Sequence, residues 1–378
     1  MRKKTKTGAA ILGVSFVWFT THFGGGFASG AQIYSYFVRY GAWCLVMPVL
    51  AMLYNMVFFA YSLRFARKHE VYDYRSYNNA FYGKFSPVFS NLFEVLYICV
   101  MCVAPAVAFA TGGATLSELT GIPYLLCTFL IGIFIFIVAI FGTDLVRKVA
   151  SVLSICIIAG LVVVYLPNII SNFSGIMDAV GSMNEAGMSF GDALYSAFLY
   201  GTFQLSNIAV FVQHAKSFDN PGDAVKSMGA GFVVNSLMMC MVVLGLLTVY
   251  TSPDAAGQSV PTLFMVQRGV GASFMTPLIS ILIILGAVST AVNMVAAMVK
   301  RICGQIKDNG TGGSNRRFHV TKQQIAAALV CCVIDFGIAQ FGLLTLIQKA
   351  YSGIAYLAIP VILIPYLIHM IVTRFDTK

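Results

Sequence analysis

The sequence contains few charged residues. Asp, Glu, Lys and Arg together make up 10% of its 378 residues, whereas a typical soluble domain contains about 25%. Apolar residues make up 58% of the chain, and the mean hydropathy is +0.83. This composition excludes a soluble enzyme, a disordered chain and a nucleic-acid-binding protein. Because the apolar residues form long runs without alternation, we predict an integral membrane protein built of helices rather than strands.

The sequence also lacks the motifs of common active sites. It has no phosphate-binding loop, zinc-ligand spacing or nucleophile elbow, so we expect neither an enzyme nor an organic cofactor. All nine cysteines lie in apolar runs or at their edges, which predicts free thiols. Cys99 and Cys102 have no second ligand pair, so no metal or redox site is expected there. The apolar stretch after the basic N terminus is too long for a cleaved signal peptide, and we expect none.

Ten hydrophobic segments are present, in keeping with the roughly ten to twelve membrane spans that a chain of this length can form. They cover residues 8–38, 42–66, 87–112, 121–141, 145–166, 190–214, 225–251, 276–302, 320–340 and 343–372. The Gly- and Ser-containing stretch 307–322 is predicted to be a flexible loop. No stretch suggests a soluble domain, so residues 1–378 are predicted to form one transmembrane domain.

The distribution of charge predicts the orientation. If the N terminus is inside, every Lys and Arg except Arg39, Arg268 and Lys349 falls in or beside an inner loop. An excess of basic residues is typical of cytoplasmic loops. We therefore predict that both termini are cytoplasmic, and that the net charge of +10 reflects these loops rather than an acidic partner.

Ten spans can form two halves of five with opposite orientation. We predict an inverted repeat over approximately residues 8–166 and 190–372. The first segment is too long for one straight span, and a glycine-rich run interrupts it at 22–30. The sixth segment, its counterpart, is interrupted at 200–207. Matching interruptions of this kind indicate a transporter binding site, so both helices are predicted to be unwound in mid-membrane, near 23–26 and 201–206.

A helix interrupted within a membrane frees backbone groups for a ligand. The N–H groups that begin the outer half suit a carboxylate, and the C=O groups that end the inner half suit Na⁺. The absence of side chains at Gly24, Gly25 and Gly26 lets a ligand approach the backbone. The alternative is that these glycines form a packing groove for a neighbouring helix.

The eighth segment contains two adjacent hydroxyl groups, those of Ser289 and Thr290. Adjacent residues on a helix lie about 100° apart, so both hydroxyls can flank one cation, and the Gly286 carbonyl lies one turn earlier on the same side. Together with carbonyls from the first segment, they would supply the oxygen ligands that a hard cation takes. The alternative is that the hydroxyls bond to their own helix or join two helices.

These features resemble the LeuT-type fold of the amino acid–polyamine–organocation superfamily. The run from Phe23 to Gly30, FGGGFASG, resembles the Gly-x-Gly-Phe-Ala-Ser-Gly signature of the YkvI family, bacterial membrane proteins regarded as candidate amino acid permeases. The resemblance covers essentially the whole chain in topology, and its sharp motifs are confined to the first and eighth segments. It implies a ten-helix protein of the bacterial cytoplasmic membrane.

The resemblance also implies two sites. The implied sodium ligands are the backbone carbonyls of Thr20, Phe23 and Gly286 and the hydroxyls of Ser289 and Thr290. The substrate carboxylate is implied at the N–H groups of Gly25 and Gly26, next to Gly24, with Tyr200, Thr202 and Phe203 in the pocket wall. A proton-coupled branch of the superfamily has a lysine on the fifth segment near the sodium position. Here only Arg147 and Lys148, at the inner end of that segment, are basic, which favours Na⁺.

Ionisable residues inside membrane spans suggest function. His22, at the edge of the first interruption, is a candidate for proton transfer, gating or substrate contact, or a hydrogen-bonded structural residue. Glu94 in the third segment is a candidate proton site, and a salt bridge with an inner-side arginine is the alternative. Asp335 in the ninth segment is expected to be a structural acid in the bundle interior.

The sequence therefore predicts a secondary active transporter in a lipid bilayer. We expect Na⁺-coupled symport of a small amino acid or related zwitterion by alternating access. The alternatives are an H⁺-coupled transporter, a ligand-sensing receptor like the germination permeases, and a channel, for which no repeated filter motif is present. A substrate other than an amino acid stays open, as do the coupling stoichiometry and the oligomeric state.

Overall fold

The computed structural model describes residues 2–141, 143–187, 189–303 and 321–376, without the side chains of residues 2–7 and 143–154. Most of the predicted loop 307–322 and the side chains of Arg147 and Lys148 therefore lie outside the described residues. Within the described ranges all regular structure is helical, with no β-strand.

The first nine α-helices are α1 Arg2–His22, α2 Gly25–Ala28, α3 Ala31–Tyr36, α4 Met47–Lys68, α5 Tyr74–Tyr82, α6 Ser86–Thr120, α7 Tyr124–Phe141, α8 Thr143–Ser171 and α9 Phe173–Ala186. The remaining described α-helices are α10 Phe190–Gln204, α11 Ile208–Phe211, α12 Gly222–Leu247, α13 Pro261–Gln267, α14 Ala272–Cys303, α15 Lys322–Ala339, α16 Leu343–Thr345, α17 Tyr351–Ala358 and α18 Ile364–Val372.

Seven stretches of helix are long and apolar enough to cross a membrane, and an eighth is added if α8 and α9 count as one bent span. The seven are Met47–Lys68, Tyr74–Thr120, Tyr124–Phe141, Gly222–Leu247, Ala272–Cys303, Lys322–Ala339 and Leu343–Val372. With the bent span, which corresponds to the fifth predicted segment, this count omits only the first and the sixth of the ten. Both are divided into helices shorter than 18 residues along their apolar parts, so the ten-helix count stays a prediction.

Local sequence explains where several helices begin and end. The Asp73 carboxylate accepts hydrogen bonds from the backbone N–H groups of Arg75 and Ser76 and caps α5. Thr321 and Gln324 form a reciprocal capping box at the start of α15. The long helix α6 ends where Gly121 adopts a left-handed conformation, φ 70°.

The last span contains two π-helical turns, Leu346–Ala350 and Ile359–Leu363. In each turn a backbone carbonyl accepts a tyrosine hydroxyl from another part of the chain. Tyr36 donates to the Ile347 carbonyl at 3.0 Å, and Tyr82 donates to the Val361 carbonyl at 2.8 Å. These bonds satisfy carbonyls that a π-helical turn displaces from regular α-helical geometry.

Tertiary packing brings the interrupted first segment into the centre of the bundle. The helix α14 packs against α6, and α12 packs against both α1 and α4. The short helix α2 lies between α14 and α6 and contacts both. All four residues of α2 are buried, so the interruption is surrounded by protein, as irregular backbone at membrane depth requires.

The sixth segment differs from its prediction. The helix α10 remains α-helical through Gln204, and the chain continues as a 3₁₀ turn at Leu205–Asn207 with right-handed φ and ψ values. The segment thus tightens over its polar residues and is not unwound over 201–206. Gly201 serves packing instead, because a Cβ atom there would lie 2.9 Å from the Cε1 atom of the Tyr54 ring and closer still to its Cδ1 atom. Its carbonyl accepts a hydrogen bond from Asn55 on α4, at 2.7 Å.

Candidate functional site

The first segment is interrupted twice, at Phe23–Gly24 and at Ser29–Gly30. Gly24 has an extended conformation, with φ −87° and ψ −177°. The backbone N–H groups that follow it therefore do not continue the hydrogen-bond pattern of α1. Among the described residues, no hydrogen bond reaches the carbonyls of Thr20 and Phe23 or the N–H groups of Gly25 and Gly26. The interruption therefore leaves free acceptors on one side and free donors on the other, as a ligand site requires.

The helix α14 contributes its polar residues to the same place. A Cβ atom at Gly286 would lie 3.9 Å from the Phe23 carbonyl oxygen, and one at Gly24 would lie 3.7 Å from the Thr290 hydroxyl oxygen. The Thr290 hydroxyl donates to the Gly286 carbonyl at 3.0 Å. The Ser289 hydroxyl has no hydrogen-bond partner in the described part of the chain.

All five residues of the implied sodium site line one cavity of about 520 Å³. We call it the middle cavity; its lining includes Thr20, Phe23, Gly286, Ser289 and Thr290. The Thr20 hydroxyl donates to carbonyls of its own helix, and the ligand predicted at this residue is its backbone carbonyl. The sequence-based set is thus brought together on one wall, although cation binding by it stays a prediction.

A smaller cavity of about 60 Å³ lies at the interruption itself. We call it the break cavity; its lining includes Thr21, His22, Gly24, Gly25, Gly26, Gln32, Phe203, Gln204, Ser206, Asn207, Thr290 and Tyr351. The three predicted glycines and Phe203 therefore face the same space. The Phe203 ring stacks on that of Tyr351, with ring centres 4.7 Å apart.

Two residues predicted for the pocket wall do not line the break cavity. Tyr200 is fully buried behind it, and its hydroxyl hydrogen-bonds His22. The Thr202 hydroxyl donates to the Phe198 carbonyl at 2.7 Å and lies 3.2 Å from the Tyr54 hydroxyl. Because α10 stays helical at these positions, Thr202 faces α4 and not the cavity.

The glycines at the interruption have different surroundings. A Cβ atom at Gly25 would lie 2.7 Å from the Thr111 hydroxyl oxygen and 3.2 Å from the Ala108 Cα atom on α6. The alternative of a packing groove therefore holds at Gly25. A Cβ atom at Gly24 would make only an ordinary contact, at 3.7 Å, so packing does not explain the glycine there.

His22 joins three helices through its imidazole ring. Asn235 donates its amide N–H to the Gly231 carbonyl, which leaves its amide oxygen to accept the His22 Nδ1–H at 2.7 Å. The His22 Nε2 atom then accepts a hydrogen bond from the Tyr200 hydroxyl. Both ring nitrogens thus form hydrogen bonds while the imidazole is neutral. These bonds explain His22 as a structural residue at the edge of the cavity.

Glu94 pairs with Arg301 on α14. The Tyr74 hydroxyl donates a second bond to this carboxylate at 2.5 Å. The salt bridge with an arginine, which was the alternative to a proton site, is therefore present. The pair lies far along α6 from α2, beside a third cavity that Lys300 and Arg301 line. Asp335 is 3% exposed, in keeping with a position inside the bundle.

The cavities form a path towards one face of the protein. The break cavity and the middle cavity share Thr21, Thr290 and Met294. The middle cavity shares Asn293 and Met294 with the third cavity, of about 680 Å³, which we call the vestibule. The path therefore leads from the interruption to Lys300 and Arg301.

Direct contacts with other helices hold the second interruption in place. The Thr262 N–H on α13 donates to the Ser29 carbonyl at 2.9 Å, and the Tyr165 hydroxyl lies 2.7 Å from the Thr262 hydroxyl. The bond from Tyr36 joins α3 to the last span. These contacts link the second interruption to α13 and α3 to the last span.

Sequence reasoning missed several cavity residues. Gln32, Gln204 and Asn207 all line the break cavity. Their signal was visible, because each is a polar carboxamide within an apolar segment. Without the second interruption at Ser29–Gly30, however, no spacing rule would bring Gln32 to the same place as Gly26.

Comparison with known proteins supports the fold. The chain is similar to the solved structure of a Na⁺-coupled sialic acid symporter in a substrate-bound, outward-open state, with a TM-score of 0.58 and 14% identity over 94% of this chain and 78% of that one. It is also similar to a manganese transporter of Eremococcus coleocola, with a TM-score of 0.48 and 15% identity over 100% and 73% of the two chains. No protein-family model and no curated protein matches the chain.

The predicted fold class, an all-α membrane protein of LeuT type, is confirmed by the helical structure and by the likeness to the symporter. At 14% identity this likeness shows the fold alone. It supports the fold that the resemblance implied and not the YkvI family in particular.

Proposed function

We propose that the protein is a secondary active transporter that couples Na⁺ to uptake of a small amino acid or related zwitterion. One observation carries the proposal: the free carbonyls of Thr20 and Phe23 and the hydroxyls of Ser289 and Thr290 line a single cavity beside the interruption. Neutral oxygens of this kind are suitable ligands for a hard cation.

The path of cavities supports alternating access. Its open end is lined by Lys300 and Arg301, and the excess of basic residues in inner loops assigns that end to the cytoplasm. The contacts of Thr262 and Tyr36 close the opposite end. A state open only to the inside is one of the two states that such a transporter needs, and exchange with an outward-open state would carry ligand across.

A cation bound between α1 and α14 would favour one state over the other. It would link the end of α1 to Gly286 and Ser289 on α14, and these groups separate if α1 moves relative to α14. Ligand binding shifts such an equilibrium only by its difference in affinity for the two states. The substrate carboxylate is proposed to bind the free N–H groups of Gly25 and Gly26.

The test removes both hydroxyls, in the double variant Ser289→Ala/Thr290→Ala. Each substitution deletes an oxygen ligand, so Na⁺ affinity should fall by about ten- to a hundredfold, from a loss of about 1–3 kcal/mol. Thermal unfolding of the detergent-solubilised protein is measured with increasing Na⁺ and, separately, K⁺. The wild type should be stabilised by Na⁺ alone, and the double variant should need much more Na⁺.

The matched control is Ser280→Ala on the same helix, whose hydroxyl donates to the Thr276 carbonyl at 2.7 Å and does not line the middle cavity. It should respond to Na⁺ like the wild type. Uptake of radiolabelled neutral amino acids into proteoliposomes then compares imposed Na⁺ and pH gradients. Uptake that follows the proton gradient and ignores Na⁺ would refute Na⁺ coupling, and saturable binding without flux would indicate a receptor.

A further inference from the structure

Gln32 is a buried polar residue without a partner. Its exposure is 4%, yet its carboxamide forms no hydrogen bond with any described residue. It lines the break cavity, and its side-chain oxygen lies 3.5 Å from the position of a Cβ atom at Gly26. Burying a carboxamide without a partner is unfavourable. A ligand in the break cavity would supply the missing partner.

The second interruption places Gln32 there. Gly30 has φ 78°, a conformation that favours glycine, and a Cβ atom at Gly30 would lie 3.1 Å from the Thr262 backbone nitrogen. The bond from the Thr262 N–H to the Ser29 carbonyl holds this turn against α13. The start of α3 is therefore fixed from outside the cavity, and Gln32 does not need a ligand to hold its backbone.

A pair of carboxamides also lines the break cavity. The Asn207 amide N–H donates to the Gln204 side-chain oxygen at 2.6 Å. This bond leaves the Asn207 side-chain oxygen without a partner among the described residues. Two carboxamides from α3 and from the 3₁₀ turn after α10 thus offer both donors and acceptors to the same space.

None of the described residues that line the break cavity is Asp, Glu, Lys or Arg. His22 cannot supply a charge without breaking a bond, because Asn235 and Tyr200 occupy its two nitrogens. A ligand with a net charge would therefore find no counter-charge among these lining residues, which is unfavourable. A ligand without net charge needs only polar partners for its groups, and the lining offers these.

We propose that Gln32 determines substrate specificity, and that the substrate is a small solute without net charge that both donates to and accepts from its carboxamide. This inference rests on the proposed transporter function and assigns the substrate class of the same site. Neutral amino acids with a polar side chain are the chemistry that fits the lining.

The experiment measures thermal stabilisation at a fixed Na⁺ concentration by four probes: L-glutamine, L-serine, L-glutamate and L-lysine. At least one neutral probe should stabilise the wild type, and the two charged probes should not. Gln32→Met keeps the length of the side chain without its polar atoms, so the half-saturating concentration of the neutral probe should rise at least tenfold. Gln340→Met, at an exposed position, is the matched control and should not change it.

Gln32→Glu adds an acid to the cavity and should shift the preference towards L-lysine at pH 8. This reversal is a readout that a merely structural role of Gln32 would not produce. If Gln32→Met fails to fold, Gln32→Asn keeps the carboxamide, shortens the side chain and serves as the second variant for weakened binding.

The inference is overturned if Gln32→Met binds the neutral probe as the wild type does. Where Gln32→Met fails to fold, the same result in Gln32→Asn overturns it. So does a wild type stabilised by a charged probe, or by none of the neutral ones. Stabilisation by Na⁺ alone, measured on the same samples, separates this failure from that of the proposed function. If Na⁺ stabilises the wild type but the Gln32 substitutions leave probe binding unchanged, the transporter proposal stands. Only the assignment of the substrate class then fails.

Discussion

Replacing Gly25 with alanine should destabilise the protein, whereas the same change at Gly24 should not. The added Cβ atom at Gly25 would lie 2.7 Å from the Thr111 hydroxyl oxygen, 3.0 Å from its Cβ atom and 3.2 Å from the Ala108 Cα atom. The last of these is backbone of the long helix α6 and cannot rotate away. Overpacking of this kind costs about 1–3 kcal/mol, and the gain in helix propensity, at most ~1 kcal/mol, offsets only part of it.

Gly24→Ala is the matched control because its nearest neighbour, the Thr290 hydroxyl oxygen, lies 3.7 Å away. Its φ of −87° is accessible to alanine, so the smaller entropy of the unfolded chain should leave stability unchanged or raised by ~0.4–1 kcal/mol. Thermal unfolding in detergent, without ligand, should give a lower midpoint for Gly25→Ala and not for Gly24→Ala.

Adding Thr111→Ala should recover part of the loss, because it removes the closest atom from the added methyl group. The recovery would appear as a coupling free energy in a double-mutant cycle. A Gly25→Ala variant as stable as the wild type, or strictly additive effects of the two substitutions, would show that α2 and α6 are not packed as described.

Two further predictions concern α5 and the Glu94–Arg301 pair. Asp73→Ala should cost about 1 kcal/mol through loss of the α5 cap, measured by thermal unfolding. Burial acts to raise the pKa of Asp73, but hydrogen bonds from Ser76 hold this pKa below its ordinary value. The stabilisation by the cap should therefore be present above pH ~4 and lost as the pH falls further. A cap contribution equal at pH 3 and pH 7 would contradict this. Replacing Glu94, Arg301 or both with glutamine should give a coupling free energy of about 1 kcal/mol or more, because the pair is partly buried and Tyr74 bonds to it. Additive losses would argue against the ion pair.

The outcomes at the two interrupted segments show how far sequence reasoning reached. The run of three glycines predicted the first interruption because such a run weakens a helix in any context. The same reasoning was wrong at the sixth segment, where Gly201 accommodates the ring of Tyr54. A glycine indicates only that a side chain is absent, and the partner that takes its place belongs to another part of the chain.

The same distinction applies to the polar residues. Ser289 and Thr290 could be assigned to one cation because adjacent positions on a helix have a known angular relation. The directions of the Tyr200 and Thr202 side chains depend on whether α10 continues as a helix past Gly201. The neighbouring residues on α4 decide this. The partner of Glu94 is an arginine 207 positions later in the chain. From the sequence it could be described only as an arginine of a predicted inner loop, without its number.

Composition, hydrophobic run length and glycine spacing alone determined a helical membrane protein whose first segment is interrupted near 23–26, and the structure narrows this interruption to Phe23–Gly24 because Gly25 and Gly26 belong to α2. These properties follow from the cost of unpaired backbone in lipid, which acts on each segment separately. Tertiary structure alone decided that Gly25 packs on α6 and that Gln32 lies unpartnered over Gly26. Each of these depends on contacts between residues distant in sequence, and such contacts are set by the joint packing of the bundle rather than by any local pattern.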